Sequence, residues 1–487
     1  MSKNFPPLLR QPSPEAHDHI VQAIKTIARL FPVPASHRRE LPASIRDLSR
    51  MLTEDRSEMA RPYWASPGLS SAYLYFFLPW NLYRLAWLLP GLDLHLAKDA
   101  RILDLGSGPL TLPIALWCAR PDLRGLPLHF ACVDVSLQAM ERGLAILKAL
   151  AGDALAWDVR LFRGPLEKGL RGASARQENG RCASYDCIMA ANVLNELGNE
   201  RTKSGTAPLE QRLAELVERM LANLAGNGRI LLVEPGTRLG GKVISLSRAS
   251  AISMGCKAIA PCPHSGPCPM QPRNDEADMR SGPSFSGWCH FTHPVFNPPE
   301  VLVNLGEEAR MHKRSMALSC VLLEKIEPER QGENTEEEAF QSLDENLKEL
   351  TGLDELEALF AEIMEEDQPA SGIEKARHTR QQPDILNATS GPLCLRVISS
   401  PIELSGREEP GRYACCEKGL ALLLDARTAA SGALVEATPL QQPQSSLRNA
   451  PNAADERDRK SGAILFTRVP AKKTEKSHKK RGPEARP

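Results

Sequence analysis

The sequence lacks a net charge, an apolar leader and an apolar run long enough to cross a membrane. Its 60 basic and 60 acidic residues cancel, so the average charge favours no class of charged partner. The N-terminal residues include prolines and polar side chains where a secretory signal has its apolar core. Pro79, Asn81 and Arg84 interrupt the most apolar early stretch, residues 70–92. We therefore expect a buried helix pair there, no membrane partner and a cytoplasmic location.

Charge is unevenly distributed along the chain. Residues 327–367 contain 16 acidic residues against 2 basic ones, and residues 457–487 contain 11 basic residues against 3 acidic ones. We expect an acidic insertion over residues 327–390, partly disordered, and a flexible basic tail over residues 431–487. The 12 cysteines, in a chain with no visible secretory signal, favour metal binding or plain burial over disulfides.

Apolar periodicity predicts an α/β protein. Apolar residues at helical spacing predict an N-terminal helical region over residues 1–95. Residues 96–250 alternate short apolar runs with amphipathic segments, which is the pattern of a doubly wound sheet. A cysteine-rich loop region follows over residues 251–300. Further strands are expected over residues 314–326, 393–404 and 419–425.

A glycine loop between a predicted strand and a predicted helix indicates a nucleotide-type cofactor. It includes Asp104, Gly106 and Gly108, and it lacks both the Lys-Ser/Thr pair of a P-loop and the third glycine of the dinucleotide fingerprint. The pattern is typical of S-adenosylmethionine-dependent methyltransferases. Asp134 ends the next strand, where a carboxylate can bind ribose hydroxyls, and a third strand ends near Asn192. The alternatives are a simple strand-to-helix turn, or a fold that binds the cofactor without transferring methyl.

No catalytic residue can be assigned from the sequence. Methyl transfer depends mainly on positioning the acceptor in line with the sulfonium methyl group. The chain has Asn192-Val193-Leu194-Asn195 where amino-directed nucleic-acid methyltransferases carry Asn/Asp-Pro-Pro-aromatic, which argues against methylation of a base amino group. Glu196 and Glu234 are candidate general bases, but capping or solvent-facing roles are the simpler interpretation.

Three cysteines lie among prolines and glycines after this domain. Cys262 and Cys268 are separated by Pro263, Gly266 and Pro267 among others, and Cys289 follows a polar spacer. Such a segment forms no regular helix or strand, so the sulfurs can converge on a metal. A zinc site and an iron–sulfur cluster both need a fourth ligand, and spacing leaves both metals open. Candidates for that ligand are Cys256, His264, His290, Cys415 and Cys416. The alternative is a set of buried free cysteines, as we expect for Cys118, Cys132, Cys187 and Cys320.

The cysteine segment resembles a known family. The segments that carry the resemblance are Glu234-Pro235-Gly236-Thr237, Ala260-Pro261-Cys262-Pro263-His264, Gly266-Pro267-Cys268-Pro269 and Trp288-Cys289-His290-Phe291. They resemble the small-ribosomal-subunit methyltransferase-like family, the bacterial relatives of mitochondrial methyltransferase-like protein 17. The resemblance implies a class I methyltransferase-like (Rossmann-like) sheet followed by a small β domain, which we assign to residues 301–326 and 391–430.

The same resemblance implies cofactors and partners. It implies a [4Fe–4S] cluster on Cys262, Cys268, Cys289 and, after a Tyr-x-Cys pattern, Cys415, beside S-adenosylmethionine at the glycine loop. It implies an assembly or translation factor that contacts the small ribosomal subunit and its rRNA, and we expect a monomer. Methyl transfer, including rRNA methylation, follows from the fold more than from a motif. The cluster is then a staple between the sheet domain and the β domain. The alternative is a methyltransferase of a small molecule or protein with a structural zinc site.

Several basic and aromatic residues are candidate RNA contacts. The tail contains a basic run from Lys472 to Arg481, and Arg238, Lys242 and Arg248 follow the Glu-Pro-Gly-Thr turn. These residues could contact phosphates. Trp288 and Phe291 could stack on bases, although packing over a cluster is the simpler use.

Overall fold

A mostly parallel sheet forms the centre of the computed structural model. Its strands are β1 (Arg101–Leu105), β2 (Leu128–Asp134), β3 (Trp157–Arg163), β4 (Tyr185–Ala191), β5 (Leu224–Pro235), β6 (Cys256–Ala260), β7 (Phe291–Pro294) and β8 (Ser315–Lys325). Strands β1 to β5 run parallel in the order β3-β2-β1-β4-β5, and β8 pairs antiparallel with β5. The other edge of β8 pairs with β7 over its first half and with β6 over its second half.

The structure describes residues 7–53, 63–166, 170, 184–199, 207–270, 287–327, 392–404, 407–424, 426–427, 429–440, 455–458 and 461–468. All of these except Glu327 belong to one unit, and residues 327–390 form another.

Some helices precede the sheet in the chain, and the others lie between its strands. They are α1 (Pro14–Leu30), α2 (Ala35–Arg38), α3 (Leu41–Thr53), α4 (Pro67–Ala72), α5 (Leu78–Leu88), α6 (Thr111–Ala119), α7 (Pro121–Arg124), α8 (Leu137–Ala151), α9 (Asn195–Asn199), α10 (Leu209–Ala222), α11 (Arg238–Ser253) and α12 (Glu300–Glu308). A π-helical segment, Tyr73–Phe77, joins α4 to α5. Side-chain caps fix the starts of α1, α8 and α11, where Ser13, Ser136 and Thr237 each accept a backbone N–H.

The apolar stretch over residues 70–92 is buried within the protein. Leu74, Leu78, Leu82 and Leu85 of this stretch are all at most 1% exposed and belong to the main core. Within the described part of the chain, no helix is both long enough and apolar enough to cross a membrane.

A second, smaller sheet closes into a barrel. Its strands are β9 (Leu393–Val397), β10 (Arg412–Cys416), β11 (Gly419–Leu423), β12 (Leu434–Pro439) and β13 (Ile464–Arg468). The closed order is β10-β11-β13-β12-β9, with β11 and β13 parallel and the other pairs antiparallel. This is the connectivity of a five-stranded Greek-key barrel of the OB type. The predicted fold class, an α/β sheet with N-terminal helices and a small C-terminal β domain, is confirmed.

The segment boundaries differ from the sequence expectation in two places. Ser315–Lys325, which the sequence assigned to the small β domain, is a central strand of the main sheet. Most of its residues are buried, as is usual for a strand with neighbours on both edges. Leu434–Pro439 and Ile464–Arg468, assigned to the flexible tail, are barrel strands. Residues 328–390 of the insertion and residues 441–454, 459–460 and 469–487 of the tail lie outside the described residues.

Candidate functional site

The glycine loop turns sharply from β1 into α6. Gly106 and Gly108 have φ of +66° and +51°, in the left-handed region that favours glycine. A Cβ on Gly106 would lie 2.5 Å from the Val193 side chain, whereas a Cβ on Gly108 would meet nothing within 4 Å. Gly106 is thus required by packing, and Gly108 keeps a space open in front of the loop. That space suits a ligand that approaches the backbone closely.

Asp134 holds the loop from the end of β2. Its Oδ2 accepts the Gly108 N–H at 2.9 Å and its Oδ1 accepts the Ser136 N–H at 2.8 Å. Burial raises the pKa of this carboxyl, and the two backbone hydrogen bonds partly oppose the shift. Each carboxylate oxygen keeps a second lone pair, so Asp134 can still accept from ribose hydroxyls.

Asp104 lies beneath the loop with one polar atom unused. It is 1% exposed, and its Oδ2 has no hydrogen-bond partner among the described residues. Burial raises its pKa from 3.8 to about 7, an effect that Ser107 opposes and Asp134 reinforces. An unpartnered buried acceptor beside an open loop fits a bound group that donates to it.

Asn192 lies on the same edge of the sheet, directly after β4. Its Oδ1 accepts the Arg84 Nη2–H at 2.6 Å, and the same Nη2 donates to Asn81 Oδ1 at 2.9 Å. Glu234, fully buried at the end of β5, accepts the backbone N–H groups of Val193 and Leu194 at 3.1 and 2.8 Å. Glu234 therefore shapes the loop after β4, in agreement with the capping role expected for it.

Aromatic side chains of the N-terminal region stand beside this edge. Tyr63 and Tyr73 stack with ring centroids 5.6 Å apart, and Trp64 lies 5.0 Å from Tyr73. Burial raises the pKa of Tyr73 to about 12, while Thr111, the first residue of α6, hydrogen-bonds to it and lowers the pKa. Asp134 and Arg84 both act on Tyr73 electrostatically, so the ring lies within electrostatic range of both residues.

The cysteine segment leaves and re-enters the sheet at one edge. Ala260, the last residue of β6, pairs with Leu322 of β8, and Phe291, the first of β7, pairs with Leu318. These β8 positions are roughly 13 Å apart at the rise of an antiparallel strand. Cys262 follows β6 by two residues and Cys289 precedes β7 by two. Pairing of β6 and β7 with the same strand therefore brings the two cysteines near each other.

The structure brings the four predicted cysteines together. The pKa of Cys289 is raised well above its usual value, first by burial and then by Cys262, Cys268 and Cys415. The pKa of Cys415 is raised in the same way, first by burial and then by Cys262 and Cys268. Each thiol therefore lies within electrostatic range of the others in a region that disfavours isolated thiolates. Ionised sulfurs here need a positively charged partner or a metal.

Two buried arginines supply positive charge. Arg248 of α11, 3% exposed, donates from Nε to Cys262 Sγ at 3.1 Å and from Nη2 to the carbonyl oxygens of His264 and Gly266 at 2.8 and 2.9 Å. Arg396 of β9 donates from Nε to the Pro261 carbonyl at 2.6 Å. The expectation that Arg248 contacts phosphate is wrong, because its side chain is buried in the cysteine loop.

The barrel presents Cys415, and not Cys416, to this group. Successive residues of a strand point to opposite faces. Cys416 is fully buried in the barrel core, whereas Cys415 packs in the main core and its Sγ lies 3.2 Å from His264 Nε2. Burial and Arg248 lower the pKa of His264 to about 4, so its ring is neutral. Of the other candidates, His290 stacks on Trp288. The pKa of Cys256 is raised by burial, and none of the four cysteines is among the causes of the shift.

No set of three or more His, Cys, Asp or Glu side chains among the described residues could hold a single metal ion. The four sulfurs are neighbours without converging on one point. A polynuclear cluster binds each thiolate through a different iron, so its ligands lie further apart.

Sequence reasoning missed the buried roles of Arg84, Arg248 and Arg396, although one signal for Arg84 was present. Arg84 is the only charged residue in the apolar stretch over residues 70–92. Arg248 follows serines and aliphatic residues in α11, and Arg396 lies in a five-residue strand. A cation inside a short apolar element is a signal for a buried partner, but it does not identify that partner.

The chain is similar to known methyltransferases and to one ribosomal family. Similar solved structures include a proposed class I S-adenosylmethionine-dependent methyltransferase from Listeria monocytogenes, with 13% identity and a TM-score of 0.29, covering 66% of this chain and 91% of that one. The precorrin-6y C5,15-methyltransferase of Geobacter metallireducens has 12% identity and a TM-score of 0.25, covering 51% and 88%. A methyltransferase from Pyrococcus furiosus has 12% identity and a TM-score of 0.24, covering 48% and 78%. The fold class rests on the strand order rather than on these scores.

No curated protein sequence matches the chain. One family model, described as mitochondrial small ribosomal subunit Rsm22, matches residues 101–298. The matched residues include the glycine loop and Cys262, Cys268 and Cys289. The resemblance of this chain to the small-ribosomal-subunit methyltransferase-like family is therefore confirmed over residues 101–298.

Proposed function

We propose that this protein is a methyltransferase-like factor of the small ribosomal subunit that binds S-adenosylmethionine and carries a [4Fe–4S] cluster. The observation that carries the proposal is the meeting of Cys262, Cys268, Cys289 and Cys415, which come from three separate segments. An ordinary methyltransferase has no need to bring these thiols together beside two buried arginines.

The cofactor site is supported by the space around the glycine loop. Gly108 leaves room at the loop, Asp134 can accept from ribose hydroxyls, and Asp104 retains an unused buried acceptor. Bound S-adenosylmethionine would supply an electrophilic methyl group. The protein would supply orientation and exclusion of water, because methyl transfer depends mainly on positioning.

The cluster is supported by the chemistry of the donor set. Four cysteine thiolates are the usual ligands of a [4Fe–4S] cluster. The N–H of Arg248 on Cys262 Sγ and the charge of Arg396 offset the negative charge of the thiolates. We assign Cys415 as the fourth ligand because Cys416 faces the barrel core. The tyrosine–cysteine face of β10 would then join the barrel to the sheet.

Association with the ribosome is supported by the family model, whose description names the mitochondrial small ribosomal subunit. Exposed Arg238, with its guanidinium 5.5 Å from the Trp288 ring, and the basic residues from Lys472 to Arg481 are candidate rRNA contacts. We propose an assembly or translation factor that acts as a monomer in the cytoplasm. Methylation of rRNA is a further possibility at the same site.

Anaerobic purification followed by iron and sulfide analysis tests the cluster. We expect about four irons and four sulfides per chain, and loss of both in Cys289→Ser but not in Cys394→Ser, a matched change in the barrel. Stoichiometric zinc without sulfide would instead favour the alternative, a methyltransferase of a small molecule or protein.

Co-sedimentation with purified small subunits tests the ribosome proposal. Binding at moderate salt should weaken as salt rises, because phosphate contacts release counterions. Failure to bind any small subunit or precursor would refute it. Transfer of labelled methyl to rRNA, abolished by Asp104→Ala, would show that the protein is an enzyme rather than a binding factor.

A further inference from the structure

Arg84 is a buried cation whose described side-chain hydrogen bonds go to neutral groups. It is 7% exposed, and its Nη2 donates to two neutral amide oxygens, those of Asn81 and Asn192. Its Nε has no hydrogen-bond partner among the described residues, and none of the described carboxylates forms an ion pair with it. An unpaired charge is costly to bury, so the free N–H of Arg84 suits an anionic ligand.

Glu234 is the acidic group that acts on Arg84 electrostatically. Its Oε1 already accepts the backbone N–H groups of Val193 and Leu194. Glu234 thus keeps Arg84 charged without making a direct ion pair in the described structure.

The position of Arg84 relates it to the glycine loop. It lies on α5, and its guanidinium reaches Asn192, the residue directly after β4. Val193, the next residue, packs against Gly106, and a Cβ on Gly106 would lie 2.5 Å from the Val193 side chain. Arg84 therefore lies at the β4 side of the loop, and Asp134 lies at the β2 side.

The separation of these two residues matches a ligand that crosses the loop. Strand β1 lies between β2 and β4, so their ends are two strand spacings apart, roughly 10 Å. A nucleoside whose ribose lies at Asp134 can place the end of an attached amino-acid chain at Asn192. The amino-acid chain ends in a carboxylate, which is the group that a guanidinium binds best.

We propose that Arg84 binds the carboxylate at the amino-acid end of S-adenosylmethionine. The inference rests on the proposed cofactor site and extends it to a residue outside the glycine loop. Asn81 and Asn192 hold the guanidinium in place, and its unused Nε–H is left to donate to the ligand.

Calorimetric binding of two probes tests the inference. S-adenosylhomocysteine contains the carboxylate, and 5′-methylthioadenosine lacks the whole amino-acid end. Arg84→Gln should weaken the binding of S-adenosylhomocysteine by about 10- to 100-fold, the range of a charge-assisted hydrogen bond. The same change should alter 5′-methylthioadenosine by less than about threefold. Arg101→Gln, the same change at the exposed first residue of β1, is the matched control and should alter the affinity for either probe by less than about threefold.

The wild-type protein provides a second measurement that needs no variant. Amidation of the carboxylate of S-adenosylhomocysteine should weaken it by a factor similar to that of Arg84→Gln, and the two changes together should cost little more than either alone. The role of Arg84 would be overturned, with the cofactor site intact, if Arg84→Gln lost affinity equally for both probes. The same holds if the amide bound the wild type with full affinity. Failure of the wild type to bind either probe would overturn the cofactor site itself.

Discussion

Replacement of Arg248 by lysine is the sharpest test of how the cysteine loop is held. The arginine fork makes three contacts, with Cys262 Sγ and with the carbonyl oxygens of His264 and Gly266. Lysine keeps the charge but has a single ammonium, which cannot make all three. Two contacts are lost, and hydrogen bonds to a charged group contribute about 1.5–3 kcal/mol each. We expect Arg248→Lys to lower the free energy of unfolding by about 3–5 kcal/mol.

Thermal unfolding followed by circular dichroism measures this loss. A change of 1 kcal/mol shifts the midpoint of a domain of this class by about 2–4 °C, so we expect a fall of about 10 °C. Arg238→Lys is the matched control, because it changes the same residue type on the same helix at an exposed position. Its midpoint should stay within about 2 °C of the wild type. Equal shifts in the two variants would refute the view that Arg248 organises the loop.

Four further changes test the two sites. Gly108→Ala should abolish calorimetric binding of S-adenosylhomocysteine at a stability cost of about 1–2 kcal/mol, because its Cβ enters the open space with strained φ. Gly106→Ala should cost more, because its Cβ also meets Val193. Cys268→Ser should raise the rate of limited proteolysis within residues 392–424, whereas Cys394→Ser should not; equal rates would contradict the staple. Burial raises the folded-state pKa of Asp104 from 3.8 to about 7, so the folded state holds its proton more tightly. The free energy of unfolding of the ligand-free protein should therefore fall as the pH rises from about 4 to about 7, by at most about 1.4 kcal/mol per pH unit for this group. Asp104→Asn should flatten that slope in denaturant titrations.

The main sheet could be predicted where its strands are continuous apolar runs. Strands β1, β2, β4 and β5 are mostly buried, and most of their buried positions are apolar residues. Strand β3 was missed because it is an edge strand in which Asp158, Arg160 and Arg163 alternate with apolar residues. Strands β12 and β13 were missed because each is short and lies in a polar segment.

The cysteines that meet could be named from the sequence, but their surroundings could not. Proline and glycine around Cys262 and Cys268 indicate a loop kept for its sulfurs. Nothing in the sequence says that Arg248, fourteen residues earlier, donates to Cys262, since that contact depends on the packing of α11 beside β6. The choice between Cys415 and Cys416 likewise needed the register of β10, because neighbouring residues in a strand face opposite ways.

The acidic insertion lies within the span that the proposed cysteine staple would close. Residues 327–390 form roughly half of the chain between Cys289 and Cys415. The entropy cost of closing a loop grows only with the logarithm of its length, so doubling the loop costs about 0.6 kcal/mol. We therefore expect replacement of residues 328–390 by a Gly/Ser linker of about twenty residues to leave the iron content and the proteolysis of residues 392–424 unchanged. Loss of iron in that deletion, with the thermal midpoint of the remaining unit preserved, would show that the insertion takes part in holding the cluster.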